Sequence, residues 1–303
     1  MAEGYGANLA KSGHGQVISA MKLITWNIQW GRGLDGRVDL SRIVAHARAM
    51  TDFDVLNLQE VAENFPALEG NDEADQFAQL AALLPGYTAL PGYGVEVPGQ
   101  GRPRRFGNII LTRLPVLFVR RHALPWPADP GKESMPRVAI EATVQCPLGP
   151  VRITTTHLEY YSDVMRSAQA NRLRDLQDEA CARALLPGHP TQEGGPFDLP
   201  PQTVSAILTA DFNFPPENPS YDAIQQPIAC GGPGYVDAWT LVNGRKAHDP
   251  TFCVFDLRYA KRPYCCDFVF VSEDLAPRVR AVRVDTDTKL SDHQPVLMAL
   301  DDR

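Results

Sequence analysis

Residues 21–27, MKLITWN, carry the pattern that decides the fold. The run is short, mostly apolar and bounded by polar residues, which predicts a buried strand over 21–26. It ends on an amide, Asn27. The same arrangement, a strand with a polar group at its end, recurs along the chain. DVLNLQ at 54–59 predicts a strand followed by Glu60. Residues 151–156 predict a strand followed by His157, in TTTHLE. Residues 204–209 predict another, followed by Asp211 and Asn213 in LTADFN. A strand over 267–271 opens on Asp267, and Asp292 and His293, in SDHQPV, precede a last strand over 295–299. Further β-rich runs lie at 108–112, 137–145 and 279–284, with 146–150 as a hairpin connection.

Helices are read from spacing and caps. Over 39–50, Leu40, Ile43, Val44 and Ala47 share one face and Asp39 can cap the start. Residues 74–84 form a second helix, stopped at Pro85-Gly86. The longest, 163–186, places Leu173, Leu176, Ala180 and Ala184 at helical spacing and stops at Pro187-Gly188. Between these elements, 86–105 is rich in Gly and Pro and predicts a loop with a short strand. Residues 114–132 predict a Pro-rich excursion, and 188–202 a surface loop. The mixed order favours an α+β layered domain with sheets at its centre over a regular βαβ series, and two central β-sheets packed face to face and flanked by helices would suit these short apolar strands. No internal repeat or long linker divides 21–303, which reads as one domain. Residues 1–20 lack the charged head and apolar stretch of a signal peptide and read as a flexible leader.

Composition sets the bounds. The chain has 303 residues, net charge −7, 44% apolar and 21% charged residues, so it is globular and can bury a sizeable core. No apolar run approaches the roughly 20 residues of a membrane span. Acids outnumber bases, which excludes a strongly basic nucleic-acid scaffold and suits a site that collects divalent cations. Six cysteines without a C-x-x-C pair read as reduced core thiols, with the cytoplasm as expected compartment. A zinc set of His248, Cys253 and Cys265 is the weaker alternative, because its spacing is irregular.

Taken singly, each polar strand-end residue reads as a turn former, a cap or a hydrogen-bonded side chain. Together they place acids, amides and imidazoles where they converge at one edge of a rigid frame. Asp267, at the start of a Cys-rich strand, also needs a partner.

TWNIQW (25–30), LQEV (58–61), THLE (156–159), ADFN (210–213), the aspartate of CCDFVFVS (265–272) and SDHQPV (291–296) occur in a telling order. It is the order found in the endonuclease/exonuclease/phosphatase superfamily, which the chain resembles over about residues 21–301. The resemblance implies a four-layered α/β sandwich and metal-dependent cleavage of a phosphate ester, with Mg²⁺ or Mn²⁺ as the hard cation. It implies Glu60 as main metal carboxylate, Asn27 beside it, and Asp292 bound directly or through water. Asp211 would orient or deprotonate the attacking water, and Asn213 would position that water or the phosphate. His157 and His293 would donate hydrogen bonds to phosphoryl oxygens, and Asp267 would hold the His293 tautomer. Arg137 resembles the family's phosphate-facing arginine, against a surface arginine as the plain alternative. Asn108, in FGNIILT, resembles a cleft-lining asparagine. Tyr93 is either a tyrosine near the scissile phosphate or a loop aromatic.

The loops choose the ester. Candidates are 86–105, 114–132, 188–202 and 215–235. Arg102, Arg104 and Arg105 beside Phe106 would grip a nucleic-acid backbone, or form a solvated loop. Trp126 would make a wall or fold back. Arg166, Gln169 and Arg172 would point to the cleft or form an exposed helix face. The expected function is nuclease-like hydrolysis of phosphodiester bonds by in-line attack of an activated water. The alternative is a phosphatase or phosphodiesterase acting on a small phosphate ester, such as an inositol phosphate, phospholipid headgroup or nucleotide. A non-catalytic binding module ranks last, since every acid and histidine of the set is present. No protein partner is inferred.

Overall fold

The computed structural model describes residues 19–99, 101–186, 188, 193–200 and 202–302. The expected leader, apart from residues 19 and 20, lies outside the described residues, as does part of the expected loop at 188–202. The strands are β1 (Ser19–Asn27), β2 (Val55–Glu63), β3 (Thr88–Val97), β4 (Arg104–Thr112), β5 (Val116–Ala123), β6 (Val138–Cys146), β7 (Gly149–His157), β8 (Ala206–Asp211), β9 (Tyr235–Asp237), β10 (Asp267–Ser272), β11 (Val279–Val284) and β12 (Val296–Asp301). They form two six-stranded sheets, ordered β11-β12-β1-β2-β4-β3 and β5-β6-β7-β8-β10-β9. The helices are α1 (Leu40–Met50), α2 (Gln76–Leu83), α3 (Asp163–Leu185), α4 (Pro219–Ile224) and α5 (Ala238–Asn243).

Alternation along each strand builds the layers. Leu23, Val55 and Ile110 face inward and pack against Ile140, Ile153, Ile207 and Val269 of the second sheet. Their neighbours Ile24, Leu56 and Ile109 face the other way, onto Leu40 and Ile43 of α1 and Phe77 and Leu80 of α2. On the far side, Leu208, Phe268 and Phe270 pack under Leu173 and Leu176 of α3 and Tyr221 and Ile224 of α4. The result is four layers, helix–sheet–sheet–helix. Central strands covered on both faces read as nearly continuous apolar runs, which explains their clarity in the sequence. No helix among the described residues is long and apolar enough to cross a membrane. All six cysteines are free thiols.

Each sheet has a parallel pair at its centre. β1 runs parallel to β2 through the α1 crossover, and β7 runs parallel to β8 through α3. The helix starts follow the sequence: Asp39 accepts from the Ser41 backbone N–H, and Ser162 from that of Met165. Ligand sites in sheets with parallel strands form beyond the carboxyl ends, and the chemistry-bearing residues sit there.

Five elements differ from expectation. The Gly/Pro-rich stretch at 86–105 contains the full ten-residue β3, and the Pro-rich stretch after 114 contains β5. Both are edge strands, where proline removes no ladder hydrogen bond that matters. The glycines permit close backbone approach: a Cβ on Gly107 would lie 2.0 Å from the Gly92 carbonyl oxygen. The stretch 215–235 and its continuation also contain α4, β9 and α5, each too short to leave a periodic signal.

Candidate active site

On the second sheet three functional groups form one row. In register, His157 of β7 faces Asp211 of β8, and Asp211 faces Asp267 of β10. Adjacent strands put these side chains on one face, a strand spacing apart. Asp211 Oδ1 accepts from the Asn213 backbone N–H at 3.0 Å. This turn places Asn213 in the left-handed region, φ 55°, which asparagine tolerates better than most residues. The Asn213 amide then donates to the His157 Nε2 at 2.9 Å and to the Leu158 carbonyl at 2.9 Å. Since Nε2 accepts, the proton of His157 resides on Nδ1. Burial, with Arg137 and His293 nearby, pulls His157 well below the usual imidazole range, so it is neutral.

The first sheet supplies the second half. The Asn27 amide nitrogen donates to Glu60 Oε1 at 3.0 Å and to Asp211 Oδ2 at 2.9 Å, while its oxygen accepts from the Gln29 backbone N–H at 3.1 Å. One side chain therefore ties the two sheets together. Glu60 reaches it because β2 slips in register against β4 between Leu58 and Val61, and Glu60 takes φ 59° at the bulge. A left-handed non-glycine residue costs about 1–2 kcal/mol, and such strain gathers at functional sites. Burial and the neighbouring Asp292 push the Glu60 carboxyl up to about 7, and burial raises Asp292 as well. Gln29 donates to Asp292 Oδ2 at 2.8 Å, yet its own Oε1 has no hydrogen-bond partner among the described residues. Crowded carboxylates and an unpartnered amide oxygen are the donor set that suits a hard divalent cation. Glu60, Asp292 and Gln29 would hold it, with Asn27 orienting Glu60.

His293 completes the centre. Its Nδ1 lies 2.9 Å from Asp267 Oδ2 and its Nε2 lies 3.6 Å from Asp211 Oδ2. The Phe252 ring covers it at 4.4 Å, and Trp26 donates to its carbonyl at 2.9 Å. Burial opposes a charge on His293, but Asp267 and Asp211 outweigh burial and hold it well above the usual range, as imidazolium. Burial pushes Asp211 up to about 6, even though His293 pulls it down. Asp211, Cys266, Asp267 and His293 lie within 4.8 Å of one another. Burial keeps the Cys266 thiol protonated, and the His293 Nδ1 is already bonded, so this cluster is a hydrogen-bonded base and not an ion cage.

These groups open on a cleft of about 560 Å³. Trp30, Phe65, Phe106, Arg137, Tyr160, Tyr161 and Tyr259 are among the residues that line it. Arg137 is buried, lies 3.5 Å from Glu159, and has Nε and Nη1 without hydrogen-bond partners among the described residues, as a phosphate-facing guanidinium would. Asn108 lies behind it, in a small adjoining cavity with Arg137 and His157, and donates to the Val138 carbonyl at 3.1 Å. Tyr93 does not line the cleft: its ring packs on Phe77 and under Arg105. Arg105 is held by Glu96 and Glu63, whereas Arg104 lies over Phe65, whose ring meets Phe106 edge-on. Trp126 folds back on Ser134. Arg166 and Gln169 are buried and brace the backbone of Glu159 and Tyr160. Arg172 pairs with Glu179 instead. His248 bonds Asp237 and is not brought to Cys253 or Cys265, so the zinc set is not assembled.

The sequence reading missed Gln29, Trp30, Glu159, Tyr160, Tyr161, Phe252 and Tyr259. Trp30, Glu159, Tyr160 and Tyr161 lie just past the TWN and THL runs, so closeness to a strand-end residue was the available signal for them, whereas Gln29 takes its meaning from distant Asp292. Phe252 and Tyr259 carried none.

Comparison with known proteins gives a family and a fold. The family model described as "Endonuclease/Exonuclease/phosphatase family" matches residues 24–293. A solved endonuclease/exonuclease/phosphatase from Beutenbergia cavernae is 26% identical, covering 93% of this chain and 71% of that chain, with TM-score 0.65. A mannosyl-6-phosphatase from Bacteroides thetaiotaomicron is 21% identical over 92% and 98%, with TM-score 0.62. TDP2 from D. rerio, complexed with single strand DNA product, is 18% identical over 93% and 98%, with TM-score 0.57. A comparison with curated protein sequences finds no match.

Proposed function

The chain belongs to the endonuclease/exonuclease/phosphatase family, and from that premise we propose that it is a divalent-metal-dependent hydrolase of phosphodiester bonds, nuclease-like in its action. The observation that carries this reading is the position of Asp211. Its Oδ2 lies 2.9 Å from the Asn27 amide, 3.4 Å from His157 Nε2 and 3.6 Å from His293 Nε2, and the same Asn27 amide reaches Glu60.

Asp211 accepts a proton from water as that water attacks phosphorus. The new P–O bond forms opposite the breaking ester bond, and the leaving oxygen takes up a proton from solvent. Glu60, Asp292 and Gln29 would hold Mg²⁺ or Mn²⁺, which would supply charge neutralisation on the phosphoryl oxygens. The Arg137 guanidinium binds a non-bridging oxygen, and the His293 imidazolium stabilises the charge that builds there. Asn213 keeps His157 in the neutral tautomer whose Nδ1–H can donate. Asp267 fixes the His293 ring and supports its charge.

The test is a screen of the purified protein with Mg²⁺ or Mn²⁺ against bis-p-nitrophenyl phosphate, plasmid, single-stranded DNA, RNA and inositol phosphates. Hydrolysis of diesters that chelator abolishes is expected, with Asp211→Asn and His293→Ala folded but inactive. Full turnover in excess chelator, or by either variant, overturns the assignment. A compact phosphate ester is the second reading. Glu133, exposed among the cleft-lining residues, favours it, because a long polyanion would meet that charge. Monoester hydrolysis without diester hydrolysis would select it.

A further inference from the structure

Arg137 is the cation on which the phosphate-binding step depends. It stands one residue ahead of β6, at the end of an excursion that leaves at Leu124, whose N–H donates to the Arg137 carbonyl at 3.0 Å. Its side chain is buried against Glu159, which lies two residues past the end of β7 and is itself fully buried. The Glu159 carboxylate is divided. Oε1 accepts the backbone N–H groups of Tyr160 and Tyr161, both at 3.0 Å. Oε2 lies 3.5 Å from Arg137 Nε and accepts no hydrogen bond among the described residues.

Helix α3 sets where that carboxylate stands. Gln169 Oε1 accepts the Glu159 N–H at 2.8 Å, and Arg166 Nη1 donates to the carbonyls of Glu159 at 2.9 Å and Tyr160 at 2.7 Å. The Gln169 amide also donates to the Pro125 carbonyl at 3.1 Å, and the Ser162 hydroxyl to Asp129 at 2.6 Å. The same helix end therefore holds both Glu159 and the excursion that leads to Arg137. Arg152, also buried, shows the contrast: it commits Nε to the Thr203 carbonyl, Nη1 to Glu141 and Nη2 to Gln177. Arg137 keeps Nε and Nη1 without partners among the described residues. Burial works against its charge, and Glu159 does most among the neighbouring carboxylates to support it. A buried charge persists only when it is compensated. A contact at 3.5 Å supplies the opposite charge without the alignment of a full hydrogen bond.

We propose that Glu159 is the positioning residue of the phosphate site: its carboxylate holds the Arg137 guanidinium at the cleft with Nη1 free to donate to a phosphoryl oxygen. The proposal deepens the hydrolase reading above and rests on its use of Arg137. A guanidinium presents its N–H groups in a rigid fork that matches phosphate oxygens, and a fork set in advance loses less freedom on binding. Glu159 touches no reacting atom and acts through Arg137. A purely structural role would need only Oε1, which caps the turn at Tyr160 and Tyr161. Glutamine at this position keeps an oxygen for that turn and removes the charge that faces Arg137, so one substitution separates the two roles.

A double-mutant cycle on bis-p-nitrophenyl phosphate with Mg²⁺ or Mn²⁺ tests this, using Glu159→Gln, Arg137→Ala and the two together. Glu159→Gln is expected to lower kcat/KM about 30-fold, as a binding group displaced by a fraction of an ångström would. In the Arg137→Ala background the same substitution is expected to add no further loss. Guanidinium chloride at millimolar concentration restores part of the activity of Arg137→Ala and none of the double variant, because the Glu159 carboxylate captures the free cation. If Glu159→Gln does not fold, the cycle is run with Glu159→Asp, whose loss must likewise vanish beside Arg137→Ala. An NMR arm needs no turnover. The Arg137 Nε–H resonance, identified by its loss in Arg137→Ala, exchanges slowly with water in the wild type, and it shifts and exchanges faster in Glu159→Gln. Losses that multiply in the double variant, rescue that ignores residue 159, or a resonance indifferent to Glu159→Gln overturns the proposal. A wild type that hydrolyses no ester with either metal rejects the hydrolase reading, and the NMR arm then decides by itself whether Glu159 places Arg137.

Discussion

Asp211 stands where the two sheets meet, and its neighbours set the protonation state of each partner. His157 is neutral and His293 is charged, though both are buried within 4 Å of the same carboxylate. The difference is Asp267, which compensates His293 alone. Asp267→Asn is expected to lower kcat about 100-fold, as loss of a carboxylate behind a functional histidine does, and to move the His293 titration down toward the ordinary imidazole range. Activity assays together with NMR titration of the imidazole check this; an unmoved titration rules out the role. At this scale the sequence was legible wherever a polar residue followed a strand directly. Asn27, Glu60, His157, Asp211 and His293 are all found in one centre. Gln29 was not legible, because its meaning depends on Asp292, 263 positions away.

Elements were read well where one face alone had to be apolar. α1 and its Asp39 cap match the sequence closely. α3 was harder, because its inner face buries Arg166, Gln169 and Gln177. These side chains find polar partners that spacing cannot reveal. Gln177 receives Arg152 of β7, and Arg152 also donates to Glu141 of β6 at 3.0 Å. Burial alone would raise the Glu141 carboxyl, but His122, Arg152 and Arg120 outweigh it and hold the group down at about 2. A depressed carboxyl stabilises the fold above its unfolded value, about 4.3, and that stability disappears as pH falls toward 2. Its full size is about 3 kcal/mol, and about half is gone near pH 3. Glu141→Gln should remove this acid-sensitive step, as read from urea midpoints at neutral and acid pH; an identical pH dependence in both proteins counts against it. The edge pairing of β3 and β4 gives a second element-scale outcome. Gly107→Ala drives a Cβ into the Gly92 carbonyl and is expected to cost about 2–3 kcal/mol in unfolding free energy.

For the whole molecule, the carboxylates of Glu60, Asp292 and Asp211 gather at one end of the sandwich, drawn from both sheets. A cation that binds only the folded chain stabilises it by about 2.7 kcal/mol at a hundred times its dissociation constant. Mg²⁺ or Mn²⁺ should therefore raise the melting temperature in a concentration-dependent way, and Glu60→Gln should blunt the rise. A melt indifferent to metal would speak against the cation site. The sequence by itself determined the layered α/β class, the strands buried on both faces and the polar groups at their ends, because burial and periodicity are local constraints on residue type. Only the tertiary structure decided that Asn27 joins Glu60 to Asp211, and that Asp267 charges one histidine and leaves the other neutral. These contacts depend on sheet order and register between distant segments, which no local pattern encodes.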